Sequence, residues 1–254
     1  MVVSLRSPLL AKIPSISHAF TTRQGGVSKG LFSTLNAAME KGDNPADVLE
    51  NRRRIAEHVG GSLDQLITLR QTHSNKVIVA TDTWLHADRP EGDALITRSK
   101  NLIIGIITAD CVPVLLADKE TGMIAAVHAG WKGATSNIIP NTIQTMKNLG
   151  AAANKIVAAI GPCIWQESYE VDQAFYENLP DDHKFFIPSP KESHWMFDLP
   201  GYVEQQLKVS GITQICPSPY NTYEEEDLFF SNRRRMHRQE STFGCTLSCI
   251  KLAY

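Results

Sequence analysis

The sequence predicts an α+β fold, a single compact domain of mixed β-sheets covered by helices. Three observations carry this reading. Short apolar runs rich in β-branched residues crowd the middle third of the chain, they lack the polar alternation of a half-wet sheet, and amphipathic stretches with helix start and stop signals flank them. Runs without alternation belong to strands buried on both faces, so helices are expected outside the sheets, in layers.

From Asn44 to Gly60 the signals of a helix agree: Asn44 as N-cap, Pro45 in the first turn, Asp47 near the positive end, Val48, Ile55 and Val59 at helical spacing, and Gly60 as the stop. Arg52 and Arg53 are assigned to its other, polar face. Thr68 to Ala80 and Asp93 to Thr97 read as strands of the same system as Leu102 to Thr108, Val112 to Ala117, Met123 to Val127 and Lys155 to Ile160. A second helix is expected from about Ala134 to Leu149, and a third from Pro200 to Val209 ahead of Gly211. No repeat and no low-complexity linker interrupts the chain, so residues 1–254 read as one domain.

Composition excludes several functions. Lys plus Arg is 25 against 27 for Asp plus Glu, which leaves no electrostatic footprint for nucleic acid or an acidic membrane. Nothing approaches the ~18 uninterrupted apolar residues of a membrane span, and Met1 to Lys12 turns polar too soon for a secretory signal. The expectation is a cytoplasmic protein acting on a small molecule or another protein. Five cysteines, an odd number in a chain large enough to build its own core, argue against a disulfide framework. A special cysteine is then one that binds metal or does chemistry.

Three such residues fall at predicted strand ends: His73 in Gln-Thr-His-Ser-Asn, Cys111 in Thr-Ala-Asp-Cys-Val-Pro, and His128 in Val-His-Ala-Gly-Trp. A rigid sheet holds groups at its rim while loops leave an opening above them. Their spacing matches no close-set zinc-finger pattern. Three chemistries remain open from the residues alone: a zinc ion with water in its fourth position, a copper ion with a weak axial ligand, or a metal-free Cys111 nucleophile with His73 or His128 as its base. Asp110, beside Cys111, is a candidate proton shuttle if the chain bends there, and otherwise a residue that fixes the turn.

Eight strings in order, His18 to Ser28, Asn51-Arg-Arg-Arg54, Gln71 to Asn75, Gly92 to Thr97, Thr108 to Pro113, Ala126 to Trp131, Ile160 to Ile164 and Phe229 to Arg234, resemble the YfiH family, also called laccase-domain or polyphenol-oxidase-family proteins. The resemblance implies an α+β fold of mixed sheets, distantly akin to the catalytic domain of cytotoxic necrotising factor toxins. It implies zinc, with copper as the alternative, held by His73, Cys111 and His128. It further implies phosphorolysis of adenosine, inosine and methylthioadenosine, with adenosine deamination as a second activity. Some members are instead linked to editing of peptidoglycan precursors, which a metal-free cysteine hydrolase would perform, and others carry an oxidase label. Two strings depart from the family: Asn221-Thr-Tyr223 stands where Cys-Thr-Tyr is usual, and Gln239 to Gly244 replaces a Thr-Gly-Arg string.

The eight histidines contain no His-X-His pair, which disfavours a true multicopper oxidase. The usual zinc-deaminase signature is also absent, so any deamination would be convergent. Phosphorolysis needs an anion site beside the ribose. Arg52, Arg23 and Asn36 are the candidates for phosphate and sugar contacts. Trp131 and Lys132 follow His128 closely enough to meet a substrate, and Cys163 reads as structural.

Overall fold

The computed structural model describes residues 1–253. Its α-helices are α1 (Pro45–His58), α2 (Trp131–Thr135), α3 (Ile138–Asn148), α4 (Gln173–Glu177), α5 (Leu199–Val209) and α6 (Asn232–His237). One large sheet has the order β1 (Ser4–Leu5), β2 (Ile16–Thr21), β14 (Thr246–Leu252), β6 (Ile103–Thr108), β3 (Leu66–Ile67). The other runs β13 (Gln214–Cys216), β9 (Ile156–Ile160), β7 (Val112–Asp118), β8 (Met123–Ala129), β5 (Ala94–Thr97), β4 (Val77–Val79). A small third sheet holds β10 (Glu170–Asp172), β12 (His194–Phe197) and β11 (Phe186–Pro188). Both large sheets are mixed, with β3 parallel to β6, β4 to β5 and β13 to β9 among antiparallel neighbours.

Strand parity sorts the apolar residues into layers. Along β7, Val112, Val114 and Leu116 join Ile139 and Ile143 of α3 and Val203 and Leu207 of α5. Leu115 and Ala117 face the other way and meet Ile104 and Ile106 of β6 and Ile250 of β14. On the far side of that sheet, Ile103, Leu247 and Cys249 pack against Ile55, Ala56 and Val59 of α1. The layers therefore run helix, sheet, sheet, helices, and the strands are buried on both faces as their unalternating sequences require.

The helix expected over Asn44 to Gly60 forms, with Asn44 Oδ1 accepting the Ala46 N–H at 2.9 Å. Its faces need a correction. Arg52 stands four residues after Val48 and three before Ile55, on the buried stripe rather than the polar one, and it is itself buried. Arg53 does face solvent, paired with Glu50 and Glu57. The helix expected over 134–149 is two helices, because Asn137 takes a left-handed conformation (φ 71°) between α2 and α3. Pro140, in the first turn of α3, has no intrahelical hydrogen bond to lose there. Of the strand expected over Thr68 to Ala80 only Val77–Val79 forms, as β4; residues 68–76 instead cross the rim from β3 in the other large sheet to β4.

Candidate metal centre

That crossing loop is wound around one carboxylate. Asp93, fully buried just ahead of β5, accepts the backbone N–H of Thr72, His73 and Ser74 at 3.3, 3.1 and 2.6 Å and the Ser74 hydroxyl at 2.7 Å. Amides committed to a carboxylate are lost to a strand ladder, which is why the stretch does not continue as β-structure. The winding leaves His73 with φ 58°, a left-handed backbone that an L-residue adopts only when its surroundings hold it.

Cys111 and His128 reach the same rim from the sheet. Cys111 is in phase with Leu115 and Ala117, and His128 with Ile124 and Ala126, so both face the space between the two large sheets. His73 Nε2 lies 3.8 Å from Cys111 Sγ, the His73 and His128 rings meet edge to face with centroids 4.8 Å apart, and the ligand-competent atoms of all three residues lie within 4.8 Å of one another. His73 is exposed, Cys111 half-buried and His128 buried. Gly130 makes room for them: a Cβ there would stand 2.6 Å from His73 Cδ2 and 3.0 Å from Cys111 Sγ.

His128 Nδ1 donates to Asp93 Oδ1 at 2.8 Å, since a carboxylate can only accept, and this leaves Nε2 as the ligand atom. Burial works to raise the Asp93 carboxyl, and the hydrogen bonds from His128 and Ser74 outweigh it, holding it at about 2. Burial also works to raise the Cys111 thiol, and the charged His128 imidazole outweighs it, bringing the thiol down to about 6. For His128 burial works downward, while Cys111 and Asp93 carry it up to about 9. Without metal, each group shifts the other toward its charged form, thiolate beside imidazolium. A thiolate sulfur and two imidazole nitrogens converging from three segments form a donor set that suits zinc or copper.

Asp110 bends the chain between β6 and β7, with φ 90°. Its Oδ1 accepts from Thr222 Oγ1 at 2.8 Å and its Oδ2 from the Arg233 N–H at 2.6 Å, while its backbone oxygen accepts the Ile164 N–H. The carboxylate ties the turn to the first residues of α6; the bend on which the shuttle role depends is present, and Asp110 lines a cavity together with His73 and Cys111. Burial pushes its pKa up against these hydrogen bonds.

Two cavities open onto Cys111 and His73. One, of about 200 Å³, has Trp131, Tyr169 and Arg233 in its wall. The Arg233 guanidinium lies 5.2 Å from the Tyr169 ring centroid, and Lys132 Nζ lies 5.5 Å from that of Trp131. The other, of about 630 Å³, also reaches His128 and is lined by Lys41, Arg70, Arg89 and Arg235 against a single carboxylate, Glu40. None of the anion-site candidates from the sequence lines either cavity. Arg52 donates to Ala37 O and Thr68 Oγ1 and lines a separate cavity. Arg23 is spent on Ser33 O and Glu226 O, tying two loops together. Asn36 is fully buried, with its amide occupied by Ala38, Asp43 and Cys245. For Asn36, a buried side chain with its amide so engaged has nothing to offer a substrate.

Sequence reasoning missed Asp93 and the four cations. Asp93 carried a signal, because a carboxylate abutting a wholly apolar strand must be met by donors. Lys41, Arg70, Arg89 and Arg235 carried none, since they come from four separated loops and helix ends. The Asn221 departure has a local role: its Oδ1 accepts the Trp165 and Tyr223 N–H groups and its Nδ2 donates to Ser168 Oγ. Cys163 is buried, with its thiol pushed well up by burial and by the nearby charge of Asp110, and all five cysteines are free.

A family model described as multi-copper polyphenol oxidoreductase laccase matches residues 17–253. The chain belongs to this family. Its relatives include a purine nucleoside phosphorylase of Rickettsia conorii, 39% identical over 82% of this chain and 85% of that protein. An adenosine deaminase from an unknown prokaryotic organism is 34% identical over 85% of this chain and 88% of its own length. The crystal structure of the Bacillus licheniformis hypothetical protein YfiH superposes with a TM-score of 0.87 at 30% identity, covering 93% of this chain and 92% of that one. The α+β fold of mixed sheets expected from the sequence is thus a fold this family has. The family description speaks of several coppers. Among the described residues, His73, Cys111 and His128 are the one group of three His, Cys or carboxylate side chains close enough to share an ion.

Proposed function

We propose that this protein is a zinc-dependent purine nucleoside phosphorylase acting on adenosine, inosine and methylthioadenosine, with adenosine deamination as a second activity. One observation carries the reading: a His–Cys–His donor set stands between two cavities of opposite character, one aromatic and one cationic. The relatives named for nucleoside phosphorolysis and adenosine deamination support it. In this reading the purine lies against Trp131 and Tyr169, and phosphate is held among Lys41, Arg70, Arg89 and Arg235 by charge-assisted hydrogen bonds. A phosphate oxygen bonds to the ribose C1′ as the C1′–N9 bond breaks, and the proton carried by dihydrogen phosphate ends on the purine. His73, Cys111 and His128 would hold zinc or copper, which when bound supplies Lewis acidity. Asp93 fixes the tautomer of His128 and the backbone of His73, and Asp110 positions Cys111.

Incubation of the purified protein with adenosine, with and without phosphate, tests this directly. Adenine formed only with phosphate is expected, together with slower inosine formation that does not need phosphate. Replacing Arg70 and Arg235 together by Ala should raise KM for phosphate at least about a hundredfold, two charge-assisted contacts at about tenfold each. Arg52→Met should leave that KM unchanged.

The lowered Cys111 thiol beside a raised His128 favours a second reading, a thiol hydrolase acting on an amide such as a peptidoglycan precursor. Activity that survives verified metal removal and is abolished by alkylating Cys111 would establish it. A copper-dependent polyphenol oxidase is the weaker alternative, since the donor set holds one ion.

A further inference from the structure

Arg52 is a buried charge that its surroundings leave partly unsatisfied. Its Nε donates to Ala37 O at 2.8 Å and its Nη1 to Thr68 Oγ1 at 3.3 Å, but the buried Nη2 donates to nothing. No described carboxylate pairs with it within 4.0 Å. The nearby Glu40 is taken by His86 and Arg89. A buried guanidinium without a counter-ion is costly, and a fold retains one most readily where something outside the chain completes it.

A cavity of about 520 Å³, within the usual range for small-molecule sites, lies against this side chain. Its other walls include Leu49, Leu63, Leu66 and Trp84, which are apolar or aromatic, and Asp64, which is exposed and solvated. His86 also lines it and brings a second buried, unpartnered atom, Nδ1. With its Nε2 hydrogen given to Glu40, His86 offers Nδ1 as an acceptor, which a hydroxyl or a water beside an anion would complete.

We propose that this cavity is a second ligand site, separate from the His73, Cys111 and His128 centre, for a small organic anion: a carboxylate or phosphate ester on an apolar or aromatic body. The anionic group meets Arg52 and the body lies among the leucines and the Trp84 ring. The proposal is independent of the phosphorylase reading, because no residue of the three-ligand centre lines the cavity.

The test is thermal unfolding and calorimetric titration of the full-length protein with benzoate, phenyl phosphate and, as the uncharged control, benzyl alcohol. Saturable binding and a raised Tm are expected with at least one of the two anions, and not with the alcohol. Whichever anion binds assigns the charged group. Cys111→Ser must keep the response, which separates this site from the metal centre. Arg52→Met should bind at least about tenfold more weakly, and its folding is expected, since replacing an unpaired buried charge by an apolar chain is often neutral or stabilising. Leu49→Trp, which leaves Arg52 in place and fills the cavity from the exposed face of α1, should abolish binding even if Arg52→Met does not fold. The proposal is overturned if neither anion binds the wild type saturably up to about 10 mM, if Cys111→Ser removes the binding, or if Leu49→Trp binds as the wild type does.

Discussion

Asp93→Asn separates the electrostatic role of this carboxylate from its shape. The native group accepts from Ser74 twice and from Thr72 on one oxygen, and from His73 N–H and His128 Nδ1 on the other. An amide keeps one acceptor. It loses least by keeping its oxygen toward Ser74 and Thr72, which turns the NH2 toward His73 and His128. The His73 amide is then stranded opposite a donor. His128 can meet the NH2 only by making Nδ1 an acceptor, so its hydrogen moves to Nε2, the atom needed for ligation. Loss of such an orienting partner weakens metal binding by about 10- to 100-fold. Loss of charge assistance with one stranded buried donor costs about 3 kcal/mol of stability. Competition for zinc against a calibrated chelator reads the first and urea unfolding reads the second. A variant whose zinc affinity stays within about twofold of the wild type would refute the tautomer argument, whatever its stability.

Gly130→Ala should leave the protein folded and abolish metal binding, because the new Cβ would force His73 and Cys111 apart; metal content after purification reads this. In the metal-free protein, alkylation of Cys111 by iodoacetamide should rise through a midpoint near pH 6, as its thiol lies at about 6 rather than 9.0. The stability signs oppose each other. Depressed Cys111 contributes stability that is present above 9.0 and lost as pH falls through about 6, while raised His128 contributes stability that is present below 6.5 and lost as pH rises through about 9. Urea midpoints of the metal-free protein should therefore stay nearly level between these limits. Asn221→Cys, restoring the usual family residue, should cost about 1–3 kcal/mol in urea unfolding, since the amide's bonds to Ser168, Trp165 and Tyr223 are lost.

The elements that could be read from sequence are those whose local signals agree with their tertiary role. α1 has its cap, proline and apolar stripe in register, and β7 and β8 are apolar from Val112 to Ala117 and from Met123 to Val127 because both faces are covered. Arg52 shows where composition misleads: helical spacing puts it on the buried stripe, yet its charge argues for the surface. The central strand β14 was hidden for a similar reason. Its Thr-Leu-Ser-Cys-Ile-Lys-Leu carries Lys251, which is buried because its ammonium donates to Gly60 O just past the end of α1. A buried lysine satisfied from another layer has no signature along the chain.

The metal centre divides along the same line. Asp93 pairs with His128 across β5 and β8, where the His128 N–H donates to Asp93 O at 2.8 Å, and His128 pairs with Pro113 across β8 and β7, two residues from Cys111. Asp93 just ahead of β5, His128 in β8 and Cys111 just ahead of β7 thus gather at the end of three neighbouring strands where the sheet meets the loops. Sheet register fixes that gathering. It is legible because residues able to bind metal stand at the ends of apolar runs. His73 belongs to no strand, and the hydrogen bonds that hold its backbone converge on Asp93. Cys111 sits in the tight bend directly ahead of β7, so of the three ligands His73 is the one on the long crossing loop. The carboxylate that no motif reading had assigned a role is therefore the element joining the ligand on the crossing loop to the pair at the strand ends. Its loss reaches two ligands at once, whereas a substitution at either histidine removes only one.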